Sequence, residues 1–108
     1  MTGLASTPEP PYYAVIFVSR GAADTGGYPE AAERMIELAS VEPGFLGIDS
    51  ARSDGVGITV SYWRSEAAIE AWKWNVEHAA VRDEGRTRWY DAYELRVARV
   101  ERAYDWQR

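Results

Sequence analysis

His78 is the single histidine of the chain, and histidine is the side chain whose ordinary pKa, about 6.5, lets it exchange protons near neutral pH without help. As a general base it would take a proton from an acidic O–H or C–H group. A histidine near the end of a helix can also do something plainer, which is to interact with the last carbonyls. The sequence leaves both roles open. A metal role is poorly supported, because Glu77 is adjacent and would project away from His78 on a helix, and there is no second His. Without cysteine, thiolate catalysis, disulfides and thiolate metal sites are excluded. One His gives no basis for a Ser-His-acid triad. Gly26-Gly27 and Gly55-x-Gly57 read as turn glycines, since no phosphate-loop pattern surrounds them.

Aromatic side chains are the other candidates. At 13% of the residues, with five Trp and seven Tyr, they supply more ring surface than so small a core normally uses, so some are expected to line a cavity or an interface. Trp63, at the end of a strand, would hold a planar molecule or donate its indole N–H. Core packing at the strand-to-helix corner is the plainer reading and the one such a position favours. Trp72 has the same two readings, since its spacing from Ile69 and Val76 suits a buried helix stripe. Trp74 points elsewhere on that helix, toward an interface or the surface. Arg82, Arg86 and Arg88, mixed with Asp83 and Glu84, read as a solvated face.

The elements that must position these residues can be read in order. Tyr12 to Arg20 is a strand rich in β-branched and aromatic residues, with Tyr13, Val15, Phe17 and Ser19 on one face and Ala14, Ile16 and Val18 on the other. Both faces are mostly apolar, so both should be covered. A flexible GAADTGG stretch leads to a helix with Pro29 in its first turn. Ala32, Met35, Ile36 and Ala39 recur on its inner side, and Pro43-Gly44 stops it. Phe45 to Ser53 and Val56 to Arg64 form a hairpin about Asp54-Gly55. Ser65 caps a second helix that ends near Gly85, with a break around His78. Tyr90 to Tyr104 is the last strand, and the slip in its apolar alternation between Val97 and Val100 suggests a bulge.

The order β-α-β-β-α-β predicts an α+β, ferredoxin-like sandwich: a four-stranded antiparallel sheet with two helices on one face. Residues 1–11, small, polar and Pro-rich, form a flexible N-terminal arm, and residues 12–108 form one domain. A bare apolar sheet face is rarely left in water, and a second copy is its simplest cover, so a homodimer is expected. A net charge of −5 disfavours nucleic acid and anionic membrane as partners. With no leader-like start and no apolar stretch of membrane-spanning length, the expected location is the cytoplasm.

The segment SYWRSEAAIEAWKWNVEH and the closing YELRVARVERAY, taken with that order, resemble the antibiotic biosynthesis monooxygenase superfamily over about residues 12 to 106. Tyr62-Trp63-Arg64-Ser65-Glu66 and Trp72 carry the resemblance best. It implies a dimeric α/β barrel with a pocket in each subunit between sheet and helices. It also implies an oxidoreductase, a cofactor-independent monooxygenase acting on a small aromatic or quinol-like compound. In that picture Phe17, Trp63 and Trp72 shape the pocket, while His78, or Ser19, handles a proton and the substrate's own electron-rich ring reduces oxygen. Haem degradation, known in one branch, fits less well. Trp72 falls at that branch's pocket Trp, but Ser19 stands where it has Asn and Arg82 where it has its iron-ligating His. The alternative from another class is a non-catalytic dimer that binds a small ligand, because a fold does not fix a function.

Overall fold

A computed structural model describes residues 3–21 and 26–108, apart from the side chain of Val76. Strand β1 (Tyr12–Gly21) lies inside an antiparallel sheet of order β2-β3-β1-β4, with β2 at Phe45–Ser53, β3 at Val56–Trp63 and β4 at Tyr90–Val100. The expected ferredoxin-like architecture is therefore present. Part of the stretch read as flexible, residues 22–25, lies outside the described residues.

The β2–β3 hairpin turns as its sequence requires. Ser53 pairs with Val56, and the two residues between them, Asp54 and Gly55, both take positive φ (53° and 79°), the geometry that fits the right-handed twist of paired strands. This turn fixes the register, so Arg52 faces Gly57, which in turn faces Ser19 on β1. Helix α1 (Tyr28–Ser40) carries Pro in its first turn and buries Ala39. Of the expected inner residues, Ile36 turns outward and is 42% exposed, while Leu38 is half-buried. Gly44 follows at φ +88°, and an added Cβ there would come within 2.6 Å of the Ala68 Cβ. Glycine lets that loop press against the next helix.

The second helical region is not one helix. It divides into α2 (Glu66–Lys73) and α3 (Val76–Glu84), followed by a five-residue π-helix at Gly85–Trp89. The break falls at Trp74 and Asn75, before the position expected from sequence. Asn75 has extended ψ (126°) and its side chain caps α3, so a good N-cap residue starts a new helix here. The stripe of Ile69 and Trp72 belongs to α2, and Val76 lies beyond the break. Trp74 is 65% exposed and donates its indole N–H to Glu70.

Strand β4 ends at Val100, and its register with β1 runs without interruption from Tyr12↔Val100 to Arg20↔Ala92. The bulge expected between Val97 and Val100 is absent. The irregularity sits instead at Arg20/Gly21. As the sheet's edge, β4 is mostly exposed, so its side chains need not alternate strictly between core and solvent.

Register places Tyr13, Val15, Phe17, Ser19 and Trp63 on the face toward the helices, with Tyr12, Ala14, Ile16, Val18, Val60 and Tyr62 on the other. The N-terminal segment crosses part of that second face. Ala5 N–H donates to Asp49 Oδ1 at 2.8 Å, Tyr62 O–H donates to Asp49 Oδ2 at 2.9 Å, and the Thr7 and Tyr12 hydroxyls meet at 2.9 Å. Burial first, then the bond to Asp49, raises the Tyr62 phenol to about 12 from an ordinary 10.0. A group whose folded pKa is raised stabilises the fold below its unfolded pKa. Stability should therefore decline as pH rises from about 10 to about 12. Urea unfolding across that window should show a shallower decline in Tyr62→Phe, and an equal decline in both proteins would refute this account.

No helix among the described residues is long and apolar enough to cross a membrane.

Candidate functional site

Trp63, Trp72 and His78 form one continuous stack on the helix side of the sheet. Trp63 is fully buried, donates its indole N–H to Ser61 Oγ at 2.9 Å and takes Phe45 edge-on, centroids 5.4 Å apart. Trp72 stacks on it at 6.3 Å, and His78 stacks on Trp72 at 4.2 Å with planes only 11° apart. The helix break makes this possible, because it allows α3 to bring His78 back over the end of α2. The Asn75 side chain holds the His78 backbone N–H at 3.0 Å.

The His78 ring has a fixed tautomer. Its Nδ1 lies 3.0 Å from the Trp72 carbonyl oxygen, and a carbonyl can only accept, so Nδ1 carries the hydrogen and the lone pair sits on Nε2. Burial lowers the pKa from the ordinary 6.5. The bond to the Trp72 carbonyl opposes this and Arg82 adds to it. The ring is thus neutral at pH 7 with a basic Nε2. Arg82 donates to the Lys73 carbonyl at 3.3 Å, closing the end of α2.

Phe17 and Ser19 lie elsewhere. Trp63 pairs with Tyr13, four residues along β1 from Phe17 and six from Ser19. At about 3.3 Å per residue these are separations of ~13 and ~20 Å. A molecule of one or two rings cannot touch both ends. Phe17 packs against Tyr90 and Tyr93, with centroids 5.5 and 5.2 Å away. Ser19, buried to 3% exposure, accepts from Arg52 Nη2 at 2.9 Å.

Around Arg52 stands a group of residues that the sequence reading did not single out. Arg52 Nη1 donates to the Gly55 carbonyl at 3.2 Å, and Nη2 also reaches the Tyr28 hydroxyl at 3.3 Å. The guanidinium lies over the Tyr28 ring, 5.3 Å from its centroid. Tyr90 donates its hydroxyl to that of Tyr28 at 3.2 Å, and burial raises the Tyr90 pKa. Gly21, Tyr28, Arg52, Trp89 and Tyr90 line a half-open cavity of about 50 Å³. The π-helix supplies Trp89, whose N–H is bound to the Gly26 carbonyl; π-helical turns recur at functional sites. The expected solvated arginines are partly engaged here as well, since Arg86 donates to the Tyr93 hydroxyl and lies over its ring. A broader, more open depression of about 280 Å³ adjoins Ser19, Tyr93, Glu94 and Arg96. No cluster of metal-ligating side chains occurs among the described residues.

A ferredoxin-like sheet with an aromatic, partly hollow helix side defines the class. Residues 11–84 match the antibiotic biosynthesis monooxygenase family, and the chain belongs to that family. An uncharacterized protein of Bacillus subtilis, YqjZ, is 54% identical over 103 residues, covering 94% of this chain and 90% of its own. Among solved structures, SnoaB, a cofactor-independent oxygenase from Streptomyces nogalater, superposes with a TM-score of 0.75 at 10% identity, over 87% of this chain and 97% of its own. Rv0793 from Mycobacterium tuberculosis gives 0.74 at 18% identity, over 86% and 99%. At these identities the two structures share the fold alone.

Proposed function

We propose that the protein is a homodimeric oxidoreductase that oxidises a small aromatic or quinol-like compound with dioxygen, without metal, flavin or haem. Family membership supports the reaction class. The observation that carries the reading is His78, neutral, fixed by its Nδ1–H and stacked on Trp72, with Nε2 left as a base. Nε2 would take the phenolic proton, and the electron-rich phenolate would reduce dioxygen. A phenol becomes a quinone in this way: one oxygen atom stays on the ring and the other leaves as water. Trp72 would orient the substrate ring near His78, and Trp63 would hold Trp72 in place. Dioxygen uptake with a substituted hydroquinone, in chelated buffer and corrected for autoxidation, tests this. Uptake no faster than the uncatalysed background would sink the proposal.

Complete burial of Trp63 also favours a second reading, a dimer that binds a small ligand without turnover, because a buried Trp packs a core whether or not chemistry occurs beside it. Ligand binding without oxygen uptake would select it. A cytoplasmic location belongs to either reading.

The dimer itself is proposed from the sheet face away from the helices. Ile16, Val18 and Val60 sit there with Ile58, which is 48% exposed, while Ala5 and Thr7 of the N-terminal segment meet the Tyr12, Gly47 and Tyr62 end. A dimer mass is expected by sedimentation equilibrium at micromolar concentration. Ile58→Glu should weaken association at least ~10-fold, since a buried unpaired charge costs several kcal/mol. A monomer mass for the unaltered protein would exclude the barrel.

A further inference from the structure

Arg52 is held in place by acceptors, yet it still has hydrogens to give. A guanidinium offers five N–H donors. Gly55 O, Ser19 Oγ and the Tyr28 hydroxyl take three, which leaves the Nε–H and one Nη1–H. Among the described residues no carboxylate forms an ion pair with Arg52. The Tyr28 hydroxyl accepts from both Arg52 and Tyr90, so its own proton is unspent. The Trp89 N–H is already bound to Gly26. Arg52 thus brings spare donors and a positive charge to the cavity, and none of the described residues lining it carries a carboxylate. Arg52 is exposed, so water can reach these donors, and an oxyanion that displaced it would satisfy the donors and the charge together.

The route taken by Arg52 has its own requirement. The side chain crosses directly over Gly57, where an added Cβ would lie 2.4 Å from Nη2 and 2.8 Å from Cζ. Only a residue without a side chain at that register position lets the guanidinium reach Ser19.

We propose that this cavity is an oxyanion site, separate from the His78 end, that takes the carboxylate of a small aromatic acid. Its volume, about 50 Å³, holds roughly three or four water-sized atoms, which suits a carboxylate and not a fused ring system. Three of the five lining residues, Tyr28, Trp89 and Tyr90, are aromatic, so a ring attached to the carboxylate would meet aromatic edges at the opening.

Benzoate, benzamide and acetate serve as probes, titrated into the full-length protein by calorimetry. Benzoate should bind at least ~10-fold more tightly than benzamide, which has the same shape without the charge, and at least ~5-fold more tightly than acetate, factors in keeping with a charge-assisted contact. Arg52→Gln should abolish the preference for benzoate over benzamide. Gly57→Ala keeps the arginine but displaces it, and because the clash is with the far end of a flexible side chain the strand should still form. It should lose most of the preference as well. In the unaltered protein, the Arg52 Nε–H resonance should shift with benzoate and not with benzamide, a result that needs no variant to fold. Equal binding of benzoate and benzamide, or no binding of either, overturns the proposal. Acetate binding as tightly as benzoate overturns its aromatic part. These outcomes do not depend on oxygen uptake, so failure of the oxygenase reading and failure of this one are distinguishable.

Discussion

Trp63→Ala is expected to lower the unfolding free energy by about 3–5 kcal/mol, the range for truncating a large buried aromatic. Trp63 has no exposed surface. Phe45 and Trp72 both rest on it, at 5.4 and 6.3 Å, and its removal leaves a hole that strands β1 and β3 cannot close without shifting register. It also frees the Ser61 hydroxyl, which now accepts the indole N–H. Small domains are stable by about 5–15 kcal/mol in all, so this one change would leave a marginal fold. Trp63→Phe retains most of the ring and should cost less, about 1–3 kcal/mol, for the lost bond and the smaller volume. Urea midpoints at unchanged slope would measure both. A loss under about 1 kcal/mol for Trp63→Ala would mean that the residue lies in open space, as a substrate-lining side chain could, and not in a packed core.

Much of this fold follows from short-range chemistry that a sequence displays. Asp54-Gly55 demands a two-residue turn, the turn sets the hairpin register, and the strand period sorts the residues of β1 into two faces. Both faces are apolar, so which of them carries Trp63 toward the helices is decided by packing. The helix break was less legible, because Asn75 is as plausible on a helix surface as at a cap. Only the demand for His78 to return over Trp72 decides between them, and that is a tertiary demand. The π-helix has no local pattern at all, since its residues read as an ordinary polar surface. Of the site candidates, Trp63, Trp72 and His78 do meet, while Phe17 and Ser19 stand at the other end of the strand. Arg52, Tyr28 and Tyr90 carry no local signal of their meeting, because they lie far apart in sequence. One clue was present, however. The hairpin register sets Arg52 opposite Gly57, and a glycine facing an arginine inside a strand pair marks a lane for a long side chain to cross.

If the protein is the oxygenase proposed above, His78→Gln should reduce dioxygen uptake per folded protein by about 10²-fold or more, the usual contribution of a positioned general base. Glutamine keeps much of the size and polarity, and its amide can still donate to the Trp72 carbonyl, but it has no basic nitrogen. On the same reading the rate of the unaltered protein should show an acidic limb that lies below pH 6.5, because burial holds the ring under that ordinary value. The variant should lack this limb. The sign for stability runs the same way. A base with a depressed folded pKa takes up its proton more readily when unfolded, so its stabilisation is complete above about pH 6.5 and is lost as pH falls toward the folded value. Urea midpoints should therefore fall below pH 6.5 in the unaltered protein and stay flatter in His78→Gln. If His78 does no more than tie α3 to the end of α2, the substitution should cost about 1 kcal/mol or less and leave turnover per folded protein unchanged. That result would remove the base from the mechanism. Oxidation would then require a substrate acidic enough to ionise unaided beside Trp72, and the rate should follow the substrate's own pKa across a series of hydroquinones with no dependence on the protein's histidine.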